Sequence, residues 1–309
     1  MTLTRRRFLT ISAVASALPM TALAQSVHHW RGVALGADAS IVMAHPDAAR
    51  LVQMARAEIT RLEDIFSLHT PGSALNRLNA TGRLNVPPPE LLECLSQCTR
   101  LHHATGGLFD PTIQPLWVLY AQHFAGTAKA GLPDDKALQA SLAHVGFDRI
   151  RFDPVDLRLE PGMALSLNGI AQGYIADSVS ALFRAQGLTD VLVNTGEFSA
   201  IGQAPDGAPW QIGLRVGADV LPERIPLRDA ALASSAAQGI SFDGKGRVGH
   251  ILNPKTGMPA PGLWKLVTVT APQAWLADGL STAFCLMSQD QIEQSLKAFP
   301  QAKIERLVG

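Results

Sequence analysis

Cysteine is scarce in this chain of 309 residues, which contains only Cys94, Cys98 and Cys285. Cys94 and Cys98 are four residues apart in a segment with helical periodicity, so both side chains lie on one face of the predicted helix. Three cysteines in this arrangement do not provide a disulfide framework. We expect Cys94 and Cys98 to pack in the protein core, without a metal-binding role.

The chain also lacks net charge, because 26 basic residues balance 26 acidic ones. A neutral chain has no large field of one sign, so neither nucleic acid nor an anionic membrane surface is indicated as a partner. Low-complexity runs, internal repeats and clear linkers are absent as well. With 47% hydrophobic residues the chain is long enough to bury a sizeable core, and we expect a single domain over residues 25–309.

Long apolar runs are missing, apart from a weakly hydrophobic stretch at residues 11–23. That stretch is shorter than the roughly 20 apolar residues that a helix needs to cross a bilayer, which argues against an uncleaved anchor. It follows the paired-arginine sequence TRRRFL at residues 4–9 and ends at Ala22-Leu23-Ala24, which has the form of a cleavage site. We interpret residues 1–24 as a twin-arginine signal peptide and expect the mature protein in the periplasm.

Helical and strand patterns are mixed along the rest of the chain. Helices are predicted over residues 49–66, 90–105, 134–144, 171–186, 274–287 and 289–299. Strands are predicted over residues 34–44, 149–152, 157–167, 191–194, 210–216, 232–235 and 265–270, with a proline-rich loop after residue 107. Strands outnumber helices and come at hairpin spacing, which favours an α+β fold with largely antiparallel sheets over a doubly wound sheet.

One predicted helix carries a polar pair that suits a metal ion. Asp278 and Thr282 are four residues apart, so their side chains lie one turn apart on the same face. Their oxygens are ligands for a hard cation such as Mg²⁺. Such a pair is more often a solvated helix face. Here, however, apolar residues surround it, and a carboxylate in apolar surroundings needs a partner or a metal.

A second segment, LSLNGIAQGYIAD at residues 165–177, runs from a predicted strand through a turn into a predicted helix. Gly169 and Gly173 allow the backbone to approach a ligand closely, and a helix N-terminus favours anions. The G-x-G-x-x-G fingerprint of nicotinamide enzymes does not occur. The alternative is a tight turn with no ligand.

A third segment, GHILNPKTGMP at residues 249–259, places His250 beside a turn built from asparagine, proline and glycine. A rigid turn of this kind forms a wall for a planar ligand or a phosphate. A lone histidine is more often structural than catalytic, so this segment alone does not decide between the two.

Together, and in this order, these segments resemble the FAD:protein FMN transferases of the ApbE family. The matching blocks are IFSLHTPGSALNRLN (65–79), GGLFDPTIQPL (106–116), LSLNGIAQGYIAD (165–177), VNTGEFSAIG (193–202), GHILNPKTGMP (249–259) and TVTAPQAWLADGLSTAF (268–284). The resemblance implies a single ApbE-like domain related to the T-fold. It also implies that FMN passes from FAD to a threonine or serine hydroxyl of an acceptor flavoprotein, as a phosphoester, with release of AMP.

The resemblance further implies the residues of the site. Mg²⁺ is expected on Asp278, Thr282 and the carbonyl oxygen of Gly169, where it neutralises the pyrophosphate of FAD. His250 is expected to act as general base or to position the substrate, and Tyr120 to lie against an aromatic ring of the ligand. FAD contacts are implied for Leu35, His69, Leu119, Tyr120, Ala121, Ser166, Gln172 and Ile251.

Several positions depart from the commonest family pattern. Ser166 and Gln172 stand where aspartate and lysine are frequent, His69 replaces a common tyrosine, and Asn194-Thr195-Gly196-Glu197 replaces a form with two adjacent glycines. A missing lysine near the phosphates weakens charge neutralisation. These departures favour a non-catalytic alternative, and the lack of a recognisable acceptor-binding motif leaves a hydrolase open as well. The hydrolase would be an FAD pyrophosphatase that gives FMN and AMP, and the alternative would be a non-catalytic periplasmic FAD-binding maturation protein.

Overall fold

The computed structural model describes residues 26–125 and 131–309, so the predicted signal peptide at residues 1–24 lies outside the described residues. The helices are α1 Ala48–Phe66, α2 Ala74–Thr81, α3 Pro89–Ala104, α4 Gln114–Ala125, α5 Asp135–Leu142, α6 Ala171–Ala185, α7 Ala274–Phe284 and α8 Gln289–Leu296. The strands are β1 His28–Ala34, β2 Ala37–Met43, β3 Arg83–Asn85, β4 Arg151–Phe152, β5 Asp156–Arg158, β6 Val191–Asn194, β7 Phe198–Ile201, β8 Trp210–Val216, β9 Asp219–Leu227, β10 Ala231–Ser235, β11 Leu266–Ala271 and β12 Lys303–Val308.

The main sheet has seven strands in the order β1-β2-β6-β7-β10-β11-β12, and every pairing within it is antiparallel. A three-stranded sheet, β3-β5-β4, and the β8-β9 hairpin complete the strands of the described residues. The expected α+β fold with largely antiparallel sheets and packed helices is confirmed.

Both faces of the main sheet are covered, because side chains alternate between them along each strand. Val191 and Val193 join the core formed with α1, α6 and α7. Leu192, between them, joins a second core beneath the β8-β9 hairpin. This alternation places α6 and α7 side by side on one face of the sheet, and these two helices build the candidate site.

Two expectations about local structure were wrong. The strand predicted over residues 157–167 ends at Arg158, because the chain turns at Pro161-Gly162, where Met163 N–H donates to the carbonyl oxygen of Glu160 at 3.0 Å. Beyond this turn, Leu165 N–H donates to Asn79 Oδ1 at 2.7 Å rather than to a neighbouring strand. The proline-rich loop contains α4, whose apolar residues spread around the helix and so give no one-sided pattern. Proline is compatible with the first turn of a helix, as Pro115 is in α4.

The three cysteines are buried, and none of them forms a disulfide. The expected core packing of Cys94 and Cys98 is therefore confirmed. None of the helices in the described ranges is both long enough and apolar enough to cross a membrane.

Candidate functional site

The site is built where α6 and α7 cross. Helix α7 starts without a cap from its own sequence, and Asp177 on α6 provides one by accepting hydrogen bonds from Ala274 N at 2.9 Å and Trp275 N at 3.0 Å. The approach is so close that a Cβ on Gly173 would overlap the carbonyl group of Ala274. Gly173 lies in the first turn of α6, where N–H groups have no partner within the helix, and its N–H donates to Asp278 Oδ2 at 3.1 Å. The close approach of the two helices at Gly173 and this hydrogen bond thus fix the position of Asp278.

The turn before α6 lies against the next turn of α7. A Cβ on Gly169 would be 3.1 Å from Thr282 Oγ1, so a methyl group there would fill the space between this turn and the threonine hydroxyl. The same hydroxyl lies 3.4 Å from Ser235 Oγ at the end of β10. The structure therefore brings Gly169, Asp278 and Thr282 together although more than 100 residues separate the first from the others. Their role as Mg²⁺ ligands stays a prediction.

The donor set fits a hard cation, since it offers a carboxylate, a hydroxyl and space beside a backbone turn that a methyl group would fill. Within the described ranges, no three residues of the types His, Cys, Asp and Glu form a group able to hold a metal. The predicted ligand set is of another type, because it combines one carboxylate with a hydroxyl and a backbone carbonyl oxygen.

The carboxylate of Asp278 is only 3% exposed. Burial raises its pKa to about 7, and the charge of Asp177 adds to this, while the hydrogen bond from Gly173 N acts in the opposite direction. Burial likewise raises the pKa of Asp177 to about 6, against the two N–H groups that it caps. A nearby cation would stabilise the charged form of both buried carboxylates and so lower their pKa values.

Without metal, the stability of the protein is expected to fall as the pH rises from about 4 to about 7. The folded-state pKa values, about 6 for Asp177 and about 7 for Asp278, lie above the ordinary 3.8. The stabilisation is therefore complete below the unfolded value and is lost as the pH rises through the folded one. Thermal unfolding in EDTA measures this, and the difference between wild type and Asp278→Asn isolates Asp278. A difference independent of pH would contradict the assignment.

Sequence reasoning assigned no role to Glu197, which stands between β6 and β7. Its side chain is 8% exposed, and its Oε2 accepts a hydrogen bond from Ser234 N at 3.3 Å. Burial raises its pKa well above the usual range, and the charge of Asp278 raises it further. The signal in the sequence was an acidic residue between a predicted strand, VLVN at residues 191–194, and the apolar stretch FSAI at residues 198–201.

Two departures from the family pattern contact each other. Thr195 Oγ1 donates to the carbonyl oxygen of Gln172 at 2.9 Å. The amide of Gln172 lies over Gly196, whose φ of 104° and lack of Cβ leave room for it. Gln172 and Thr195 thus join the start of α6 to the turn between β6 and β7. Ser166 lies just before the Gly169 turn, and its Oγ accepts a hydrogen bond from Asn168 N at 3.4 Å.

His250 lies beside the continuation of β10. Its Nδ1 is 3.1 Å from the carbonyl oxygen of Ile240, which can only accept, so Nδ1 carries the proton and Nε2 is left with a lone pair. Burial lowers its pKa, which keeps the ring neutral at pH 7. Gly249 fixes this segment, because a Cβ there would overlap the carbonyl oxygen of Ala237. A neutral imidazole with a free Nε2 is suited to accept a proton.

The other predicted flavin contacts are spread around the turn at residues 253–257 and the first hairpin. Tyr120 is fully buried, its hydroxyl donates to the carbonyl oxygen of Gly257 at 3.0 Å, and its ring packs on Phe242 at 5.4 Å. In this structure Tyr120 therefore supports the turn at residues 253–257, and its contact with a ligand ring stays a prediction. Ile251 is buried, and Leu119 and Ala121 are half-buried on α4.

Leu35 and His69 lie in loops next to α1. Leu35 has a left-handed φ of 47°, and its N–H donates to Glu63 Oε1 at 2.7 Å. His69 is exposed, and its N–H donates to Ser67 Oγ at 3.0 Å. A cleft of about 420 Å³ lies between β1 and α1, and none of the predicted site residues lines it. The structure thus groups the predicted metal ligands, while the predicted flavin contacts lie in several separate segments.

The sequence matches the profile of the ApbE family over residues 35–305. It is 29% identical over 242 residues to an FAD:protein FMN transferase of Haemophilus influenzae, covering 73% of this chain and 69% of that protein. It is also 29% identical over 249 residues to one of Vibrio cholerae, covering 76% and 74%.

Solved structures give the same result. The flavin transferase ApbE from Vibrio cholerae has a TM-score of 0.78 at 25% identity, over 90% of this chain and 92% of that one. The apo flavinyl transferase ApbE from Pseudomonas stutzeri has a TM-score of 0.79 at 24% identity, over 92% and 94%, which is a likeness of fold. Since the family profile spans most of the sequence, this chain belongs to the ApbE family.

Proposed function

We propose that this protein is an Mg²⁺-dependent FAD:protein FMN transferase. It moves FMN from FAD to a threonine or serine hydroxyl of an acceptor protein and releases AMP. The observation that carries the proposal is the convergence of Gly169, Asp278 and Thr282 at the crossing of α6 and α7. The curated relatives named FAD:protein FMN transferase support the same activity.

Each group of the site has a part in this reaction. Asp278, Thr282 and the Gly169 turn would hold Mg²⁺, which supplies charge neutralisation at the pyrophosphate of FAD. The N-terminus of α6 adds backbone N–H groups that favour the same anion. The acceptor hydroxyl oxygen forms a bond to the FMN phosphorus, and the bond from that phosphorus to the AMP oxygen breaks. His250 Nε2 takes the hydroxyl proton.

We extend the proposal to location and partner. The signal predicted at residues 1–24 would send the folded enzyme to the periplasm. The acceptor would then be a flavoprotein of respiration or electron transfer that exposes a threonine or serine on that side. The described part of the chain offers no segment that identifies this acceptor by its sequence.

The proposal is tested with purified protein, FAD, Mg²⁺ and a domain carrying a candidate threonine acceptor. Mass spectrometry is expected to show an FMN-sized increment on the acceptor, and chromatography an equal amount of AMP. In His250→Asn the side-chain amide can still donate a hydrogen bond to Ile240 O, as His250 Nδ1 does, but the group corresponding to Nε2 is lost. We expect the rate to fall about a hundredfold, since positioned acid–base groups typically contribute that much or more.

The other two functions give different products in the same experiment. Free FMN and AMP without an adduct would establish the pyrophosphatase, which uses water as the nucleophile. Bound FAD with neither product would leave a flavin-binding maturation protein, the reading that Gln172 in place of lysine supports. Either result would overturn the transferase.

A further inference from the structure

Glu197 directly precedes β7, and the charge of Asp278 on α7 acts on it. Phe198, the next residue, belongs to the core beneath the β8-β9 hairpin. Ser199 instead reaches α6, where it accepts a hydrogen bond from Ser180 Oγ at 2.8 Å. Successive side chains of a strand point to opposite faces, so extending this alternation back by one residue puts Glu197 on the α6 and α7 face with Ser199.

Two adjacent serines connect Glu197 to Thr282. The N–H of Ser234 donates to Glu197 Oε2 at 3.3 Å. Ser235 Oγ, one residue further along β10, lies 2.7 Å from Ser281 Oγ and 3.4 Å from Thr282 Oγ1. From the other side, the Thr195 hydroxyl holds the same turn to the first turn of α6. Glu197 is thus fixed by both elements that position the proposed metal ligands.

Within the described part of the chain, residues 26–125 and 131–309, the two buried carboxylates Glu197 and Asp278 form no ion pair with a basic residue. The charge of Asp278 raises the pKa of Glu197, so the two groups act on each other. Two buried acids of this kind need a cation or protons to balance them.

We infer that Glu197 is a second acidic group of the divalent-cation site, a positioning residue whose charge strengthens metal binding at Asp278 and Thr282. This inference rests on the proposed function, because it takes the cation site as its starting point. It explains why an acid is kept in the turn between β6 and β7 while the side chains around it, Thr195 and Gln172, hold that turn in place.

The test is calorimetric titration of the protein with Mg²⁺, together with thermal unfolding before and after metal addition. Glu197→Gln keeps the size of the side chain and its bond from Ser234 N but removes the charge. We expect its Mg²⁺ affinity to fall about 10- to 100-fold, the range seen when groups that support metal ligands are changed. Its metal-free melting temperature at pH 8 should equal or exceed that of wild type. Glu223→Gln, at an exposed ion pair with Arg306, is the matched control and should bind as wild type.

The outcomes separate this inference from the proposed function. If the wild-type protein binds Mg²⁺ and Glu197→Gln binds it with the same affinity, the inference is overturned, while the metal-dependent transferase still stands. No Mg²⁺ binding by wild type would overturn both. If Glu197→Gln does not fold, Glu197→Asp keeps the charge on a shorter side chain. The shorter side chain withdraws the charge from its place beside Ser234 N, so an Mg²⁺ affinity below that of wild type but above that of Asp278→Asn would support the inference, and wild-type affinity would contradict it.

Discussion

Replacing Asp278 with asparagine is expected to lower FMN transfer at least about a thousandfold while the protein stays folded. Asparagine keeps the shape of the side chain and can still accept the hydrogen bond from Gly173 N, but it removes the only carboxylate among the predicted metal ligands. A catalytic metal stabilises the transition state by several kcal/mol, and a change of about 1.4 kcal/mol in activation free energy changes the rate tenfold.

The measurement is the rate of adduct formation on the acceptor, followed by mass spectrometry across a range of Mg²⁺ concentrations. Asp219→Asn, an exposed carboxylate at the start of β9, removes the same charge far from α7 and should leave the rate unchanged. Asp278→Asn should also unfold at a higher temperature than wild type in EDTA at pH 8, because it no longer holds a negative charge in a buried position. Transfer at the wild-type rate in Asp278→Asn would rule out this residue as a metal ligand.

Replacing Gly173 with alanine is expected to have the largest effect on folding. The added Cβ overlaps the carbonyl group of Ala274 and the nitrogen of Trp275, which are backbone atoms and cannot turn aside as a side chain would. Separating α6 from α7 also weakens the cap that Asp177 provides. Overpacking costs typically 1–3 kcal/mol, and we expect about 3 kcal/mol or more here, measured by denaturant unfolding.

Gly169→Ala is the matched control for Gly173→Ala. Its Cβ would meet the side chain of Thr282 at 3.1 Å rather than a backbone, and its φ lies outside the left-handed region. We therefore expect stability within about 1 kcal/mol of wild type and reduced Mg²⁺ binding, because the methyl group fills the space beside the Thr282 hydroxyl. An equal loss of stability in the two variants would contradict the close approach of α6 to α7.

The sequence was sufficient wherever a property depends on residues near each other along the chain. Helical periodicity placed α1, α3 and α6 within about a residue of their observed ends, because one buried face fixes where the apolar residues recur. The spacing of Asp278 and Thr282 indicated the proposed metal pair, since helix geometry alone puts them on one face. Helix α4 escaped this reasoning because its apolar residues spread over more than one face.

The long-range contacts were decided by the tertiary structure. The hydrogen bond from Gly173 to Asp278 joins residues 105 apart, and it exists because α6 and α7 pack side by side on one face of the main sheet. The order β6-β7-β10 places Glu197 beside Ser234 of β10, and burial raises the pKa of its carboxyl group. The sequence by itself determined which residues carry the chemistry of the proposed site. Only the packing of helices on the sheet decided which of them meet, because desolvation and distance depend on neighbours that lie far along the chain.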